Sequence, residues 1–155
     1  MTVSARLAEL GIDLPAVVPP VAAYLPAKAH GDLVFTAGQL PMVSGALPAT
    51  GKVGEGPGLV SAVDAHSFAR QCALNAVAAA AAAVGGVDRL TGVVKVVGFV
   101  ASVPDFTGQP AVVNGASEVL GEIFGEAGRH ARSAVGVPVL PLDSPVEVEV
   151  VFSYV

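Results

Sequence analysis

Arg132 opens a run of small apolar residues that extends to Val139 and predicts a strand. A guanidinium among such residues is costly unless an anion pairs with it. Its planar fork of N–H donors fits a carboxylate, which it can hold through two parallel hydrogen bonds. The segment therefore indicates a pocket for a small carboxylic acid. A structural ion pair with Glu147 or Glu149 is the alternative, and the spacing alone leaves both interpretations open.

Two further side chains could take part in chemistry near this arginine. His130 precedes Arg132 by two residues, so the two side chains would share a face of a strand. A place at the rim of a cleft and a structural role are both open for His130. Glu147 offers a carboxylate that could position a water molecule or pair with Arg132.

The remaining reactive side chains do not form a metal or phosphate site. Three scattered histidines and the single Cys72 give no metal-ligand spacing. Cys72 lies in an alanine-rich segment, which favours a buried thiol, and one cysteine excludes an intrachain disulfide. The glycines of residues 51–56 lack the phosphate-loop pattern. These residues therefore predict neither a metal site nor a phosphate loop.

The composition narrows the classes of partner that this protein could bind. The chain is 53% hydrophobic and 14% charged, against about 25% charged in average soluble domains, so we expect part of its surface to be buried in an oligomer. The net charge of −5 and the scattered basic residues argue against nucleic acid. The first residues lack a secretory signal, and residues 71–87 are too weakly apolar for a membrane span. These features predict a cytoplasmic protein without a membrane partner.

The length of 155 residues predicts one domain, 1–155, with residues 1–20 as an N-terminal extension. The extension begins with an amphipathic helix through residue 14, and prolines including Pro19 and Pro20 then favour extended structure. The predicted elements that follow are a strand over 32–38, a loop over 42–60 with a short strand, a helix from Ser61 to Val84, a strand over 90–102, a helix from Pro110 to Phe124, and strands over 132–139 and 146–154. This β-β-α-β-α-β-β order predicts an α+β two-layer sandwich, with a mixed sheet and two helices on one face.

Alternation along the strands predicts which face each residue occupies. In the last strand the face expected under the helices carries Val146, Val148, Val150, Phe152 and Tyr154. In the strand before it we expect Val135, Val137 and Val139 under the helices, which would put Arg132 with Glu147 and Glu149 on the other face. The middle strand is apolar on both faces, with Val94, Val96 and Val100 opposite Val93, Val97 and Phe99. A second subunit is therefore expected to cover the other face, with a cleft at the boundary.

Five short motifs in this order resemble the Rid family of reactive intermediate deaminases, also called the YjgF or L-PSP endoribonuclease-like family. They are Thr36–Pro41, Val113–Ala116, Ala131–Ala134, Leu140–Pro141 and Val146–Glu149. The resemblance covers residues 20–155. The residues Gly128-Arg129-His130 before the arginine motif are similar to a less characterised bacterial branch of the family.

The resemblance implies a chorismate-mutase-like homotrimer with three clefts between subunits. It also implies hydrolysis of enamine or imine intermediates, such as 2-aminoacrylate, to a 2-keto acid and ammonia, without cofactor or metal. Arg132 matches the arginine that binds the substrate carboxylate, and Glu147 matches the carboxylate near the attacking water. Positions that match the lining of the cleft are Tyr24, Asn114 and the backbone at Ser133 and Ala134.

Two residues depart from the usual family pattern. Ala37 stands where a serine is common, and Ala134 stands where a cysteine is common, so the cleft is less polar. These departures favour an alternative, a carboxylate-binding trimer that senses a ligand without turnover. A ribonuclease is disfavoured by the acidic chain without a basic patch, and a chaperone-like trimer would tolerate the loss of Arg132.

Overall fold

The computed structural model describes residues 1–17 and 23–155 of the chain. Within these ranges it has three α-helices and five strands. The helices are α1 (Val3–Leu10), α2 (Ala62–Val84) and α3 (Gln109–Phe124). The strands are β1 (Ala27–His30), β2 (Leu33–Thr36), β3 (Leu90–Ala101), β4 (Ala131–Val137) and β5 (Val146–Tyr154). The extended structure expected at Pro19 and Pro20 lies outside the described residues.

The strands form one mixed sheet in the order β1-β2-β5-β3-β4. All neighbouring pairs are antiparallel except β3 and β4, which are parallel. A parallel pair needs a crossover connection, and α3 provides it between these two strands. The α+β two-layer architecture predicted from the sequence is confirmed.

The expected short strand within residues 42–60 is wrong. This stretch contains only isolated bridges, such as Val43 with Ala46. The second N-terminal strand is instead β1, which pairs with β2 across the two-residue turn Gly31-Asp32. Gly31 has a φ of 62°, a left-handed conformation that suits glycine in a tight hairpin.

The predicted helix over residues 61–84 is confirmed at both ends. The hydroxyl oxygen of Ser61 accepts a hydrogen bond from the Asp64 amide at 3.1 Å, and the helix ends at Gly85 with a φ of 85°. Its alanines form the buried face, which brings the helix close to its neighbours: Ala65, Ala69, Ala73, Ala76 and Ala80 are fully buried. On α3, a Cβ added at Gly115 would lie 1.9 Å from the carbonyl oxygen of His66, so α2 and α3 meet backbone to backbone.

The face prediction is confirmed for β5 and wrong for β4. In β5, Val146, Val148, Val150 and Phe152 are buried under the helices. In β4, Arg132 pairs with the fully buried Val96 of β3, and paired residues of parallel neighbours project to the same side. Arg132, Ala134 and Gly136 therefore face the helices, and Val135 faces away.

The alternation predicted for β3 fails at one point. A register shift interrupts its pairing with β5 between Val93 and Lys95. Such a bulge adds a residue to one strand and reverses the alternation beyond it. As a result Val93 is buried with Val96 and Val100, while Val94 is 44% exposed.

The helices cover one face of the sheet, and the other face is open in the described chain. This open face carries apolar side chains that remain in contact with solvent. Phe35 is 43% exposed and Val135 is 43% exposed, and Val97, Phe99 and Val151 are partly exposed. The open face also carries Lys95, Glu147 and Glu149.

Candidate functional site

Arg132 lies on the edge strand β4, and its guanidinium reaches the first half of α3. Nη1 donates to Asn114 Oδ1 at 2.7 Å and to Ser117 Oγ at 3.2 Å. Nη2 donates to the Pro110 carbonyl oxygen at 3.3 Å. All three acceptors are neutral, and the arginine is partly exposed. The positive charge is thus held in a fixed place without being neutralised.

The ion pair that the sequence left open, from Arg132 to Glu147 or Glu149, is absent from the described residues. The ion pairs there join Arg6 to Glu9, His66 to Glu118 and Arg129 to Glu126. The reason is geometric, because Arg132 faces the helices and both β5 carboxylates project from the opposite face of the same sheet.

Three of the five guanidinium N–H groups of Arg132 are used by these neutral acceptors. The Nε–H and one Nη2–H have no acceptor among the described residues. A carboxylate binds a guanidinium through two parallel N–H···O bonds, so two unused donors and an unbalanced charge suit this ligand. The arrangement can hold a small anion at the edge of the sheet.

Asn114 and Ser117 bring α3 into this site. They are three residues apart, so they lie on one face of the helix, and α3 begins with Pro110 in its first turn. Asn114 was predicted as a cleft residue, and the structure places it against Arg132. Ser117 was missed, although its spacing from Asn114 in a predicted helix is a signal that could have found it.

His130 joins the same cluster through the Ser117 hydroxyl. Its Nε2 lies 2.9 Å from Ser117 Oγ, and its Nδ1 lies 2.5 Å from the Gly128 carbonyl oxygen. The expectation that His130 and Arg132 share a face is confirmed, since both contact one hydroxyl. We refer to Arg132, Asn114, Ser117 and His130 as the arginine cluster.

The two residues after Arg132 lie on different sides of the sheet. Ala134 faces the helices and packs at the margin of the core. The Ser133 side chain lies on the open face, where its hydroxyl accepts a hydrogen bond from Lys95 Nζ at 3.3 Å. Only the backbone of Ser133 can therefore contribute to the arginine cluster.

Glu147 forms a second group of residues on the open face. It is half-buried, and a Cβ added at Gly38 would lie 1.8 Å from its Oε1, so only glycine fits beside this carboxylate. Burial raises the pKa of Glu147, and the negative charge of Glu149 raises it further. The backbone of Gln39 forms an isolated antiparallel β-bridge with Val148. The side-chain amide of Gln39 donates a hydrogen bond to the Ala37 carbonyl oxygen at 3.2 Å. Ala37 thus belongs to the Glu147 group.

Tyr24 is 57% exposed and lies just before β1. It makes no hydrogen bond to the arginine cluster within the described residues. In one chain, therefore, the predicted site residues form two groups on opposite faces of the sheet. A second copy of the chain would be needed to bring them together.

The other reactive groups stay outside both groups. Cys72 is fully buried in α2, and this burial raises the pKa of its thiol. Within residues 1–17 and 23–155, histidine, cysteine and carboxylate side chains form no cluster that could hold a metal ion. Over the same ranges, each helix is too short or too polar to cross a bilayer.

Comparison with known proteins identifies relatives of this chain by both sequence and fold. The family described as "YjgF/chorismate mutase-like, putative endoribonuclease" matches residues 4–154. Protein TCP17 of Trypanosoma cruzi is 43% identical over 150 residues, which cover 95% of this chain and 91% of that protein.

Two solved structures share the fold over almost the whole chain. The Agrobacterium tumefaciens protein Atu1372, described as of unknown function, is 40% identical with a TM-score of 0.87, covering 99% of this chain and 92% of that one. A protein of Shewanella oneidensis MR-1, described as a putative endoribonuclease, is 31% identical with a TM-score of 0.91, covering 99% of both chains. The chain belongs to the YjgF/chorismate mutase-like family.

Proposed function

We propose that this protein hydrolyses small carboxylate-bearing enamines or imines, of the 2-aminoacrylate type, to 2-keto acids and ammonia. The observation that carries the proposal is the Arg132 guanidinium, which is fixed by three neutral acceptors and keeps two N–H donors unused. Such a group binds a substrate through its carboxylate and leaves the imine carbon open to water.

The chemistry asks little of the protein once the substrate is held. An enamine substrate first tautomerises to the imine, with a net shift of one proton from nitrogen to the terminal carbon. Water attacks the imine carbon and forms a C–O bond, the C=N π electrons move to nitrogen, and a proton of the water passes to a carboxylate base. The base returns this proton to nitrogen. The hydroxyl proton of the intermediate then passes through the same base to the amine nitrogen, C=O forms, the C–N bond breaks and ammonia leaves.

Glu147 is the carboxylate that we assign to this proton transfer. In one chain it lies on the face opposite Arg132, so the proposal requires a homotrimer in which Glu147 of a neighbouring copy approaches the arginine cluster. Two properties support this role. Glu147 is half-buried beside Gly38, and its raised pKa makes it a stronger proton acceptor than an ordinary glutamate when it is ionised.

The test is release of keto acid from freshly generated 2-aminoacrylate, with Arg132→Ala compared with Arg129→Ala. Loss of two charge-assisted hydrogen bonds, at about 1.5–3 kcal/mol each, should lower kcat/KM at least about 100-fold for Arg132→Ala. Arg129 lies three residues away and pairs with Glu126 on the surface, so Arg129→Ala should keep wild-type activity. Equal activity of both variants would contradict the proposal.

A carboxylate-binding protein without turnover is the second candidate. It is favoured by Ala37 and Ala134, which put methyl groups at positions where the family commonly has a hydroxyl or thiol. Binding of pyruvate that depends on Arg132, without acceleration of 2-aminoacrylate hydrolysis, would select this function. Ribonuclease activity, which the description of the Shewanella oneidensis relative suggests, is disfavoured by the net charge of −5, because nucleic-acid binding relies on positive charge.

A further inference from the structure

We propose that His130, acting through the Ser117 hydroxyl, couples the binding of a carboxylate at Arg132 to the uptake of a proton. The inference rests on the proposed carboxylate site and adds a titratable group to it. It makes His130 a positioning residue, which governs the hydrogen-bond donor that the ligand meets.

The hydrogen bonds of His130 fix the role of each ring nitrogen. Nδ1 lies 2.5 Å from the Gly128 carbonyl oxygen, and a carbonyl only accepts, so Nδ1 carries a hydrogen. In the neutral ring Nε2 is then an acceptor, and the Ser117 hydroxyl donates to it across 2.9 Å. The Ser117 oxygen meanwhile accepts from Arg132 Nη1 at 3.2 Å. The only hydrogen of this hydroxyl is therefore directed away from Arg132.

Protonation of His130 reverses this arrangement. Nε2 gains a hydrogen and becomes a donor to Ser117 Oγ. The serine oxygen then accepts from two cations, and its own hydrogen is released to donate elsewhere. A carboxylate whose oxygens reach both Arg132 and the Ser117 hydroxyl gains this donor and a second positive charge nearby. Because the ligand prefers the protonated site, binding takes up a proton, and by linkage its affinity rises as the pH falls.

Within one chain, the charged groups around His130 do not offer a competing anion, whereas in the proposed homotrimer Glu147 of a neighbouring copy would be the nearest carboxylate. Along its own segment, Arg129 directly precedes His130 and Arg132 follows two residues later, and both are cations. On α3, Glu118 follows Ser117 but pairs with His66 at 3.0 Å. In the turn Gly125–Gly128, Glu126 pairs with Arg129 at 3.2 Å. On β3, Lys95 projects to the open face and bonds Ser133.

The experiment measures binding of pyruvate to the full-length protein by titration calorimetry. It is done at about pH 5.5, 7 and 8, the range in which histidine titrates, each in two buffers of different ionisation enthalpy. For wild type we expect net proton uptake and affinity about tenfold higher at the lowest pH than at the highest, a coupling of ordinary size. His130→Gln and Ser117→Ala should both bind without the uptake, whereas Ser117→Thr, which keeps a hydroxyl, should retain it.

His30→Gln is the matched control, because His30 is exposed on β1, which lies at the edge of the sheet opposite β4. It should keep the wild-type coupling. Thermal unfolding checks that each variant is folded, and Ser117→Ala carries the test if His130→Gln is not.

The outcomes separate this inference from the proposed function. Proton uptake that persists in His130→Gln, or that disappears in Glu147→Gln instead, overturns the inference and leaves the carboxylate site intact. Coupled binding without hydrolysis of 2-aminoacrylate supports the inference while the deaminase function fails. Absence of pyruvate binding by wild type at every pH overturns both.

Discussion

At the scale of single residues, the charge of Arg132 is the feature on which the proposed function rests. Its neighbours on α3 hold the guanidinium by oxygens that carry no charge. Replacing any of them by a carboxylate would give Arg132 an internal counterion and lower its affinity for an external one. Neutral acceptors therefore orient the arginine while leaving its charge available for a ligand.

The pH dependence of hydrolysis should report Glu147. A base must be ionised, so activity should fall as the pH drops through the Glu147 pKa, which burial and Glu149 raise. Glu149→Gln removes the like charge, lowers that pKa and moves the acidic limb of the kcat profile to lower pH. Glu147→Gln should lower kcat about 10²–10⁴-fold. Initial rates of keto acid release across pH measure both effects.

Two controls accompany this pH experiment. Glu55→Gln, at an exposed loop position, should leave the profile unchanged. Glu147→Gln should unfold at the same temperature as wild type or higher, because a raised pKa means that the ionised carboxylate destabilises the folded state. This loss develops as the pH rises from the ordinary glutamate pKa through the raised pKa of Glu147, and it is complete above that range. An unshifted acidic limb in Glu149→Gln would remove Glu147 from the assigned role.

At the scale of elements, the arginine cluster depends on where α3 lies against β4 and α2. Asn114 and Ser117 reach Arg132 only because α3 crosses over the parallel pair β3 and β4. The close approach of α3 to α2 at Gly115 sets its position. A change in this helix contact should therefore alter both stability and ligand binding.

Gly115→Ala should destabilise the protein by about 1–3 kcal/mol, the usual cost of overpacking. The added Cβ would meet the His66 carbonyl oxygen at 1.9 Å and the Arg70 amide nitrogen at 3.2 Å, and backbone atoms cannot move aside singly. Gly121→Ala, in the same helix with open space around it, should stabilise by about 0.5–1 kcal/mol. Urea unfolding measures both, and equal midpoints would contradict the close contact.

At the scale of the whole molecule, the open face of the sheet has apolar side chains that no other part of the described chain covers. It exposes Phe35, Val94 and Val135 by more than two-fifths each, together with partly exposed apolar neighbours in β3 and β5. Exposed contiguous apolar surface of this kind marks an interaction site. A homotrimer would cover it and could bring the Glu147 group of one copy to the arginine cluster of another.

Light scattering should give three times the chain mass of 15.3 kDa for wild type. Val135→Lys should reduce the measured mass toward that of one chain. Val135 lies beside Phe99 of the neighbouring strand on the open face, and an interface there would bury the lysine ammonium without a partner, which is costly. Val63→Lys, at a position 78% exposed on α2, should leave the mass unchanged. A monomeric wild type would exclude a site shared between copies.

The sequence by itself determined the helices α2 and α3, the caps of α2 at Ser61 and Gly85 and the alternation of β5, and it indicated Arg132 and Asn114 as candidate site residues. These follow from local rules, since capping and two-residue periodicity depend on neighbours in the chain. It missed β1 because Gly31-Asp32 was not recognised as a hairpin turn.

Only the tertiary structure decided which face each strand presents. Periodicity fixes which residues share a face but not which face is covered, and a shift of one residue reverses the assignment. The bulge in β3 and the pairing of Arg132 with Val96 set that choice for β3 and β4. They direct Arg132 toward the helices and leave Glu147 on the open face, so the two halves of the candidate site can meet only between copies of the chain.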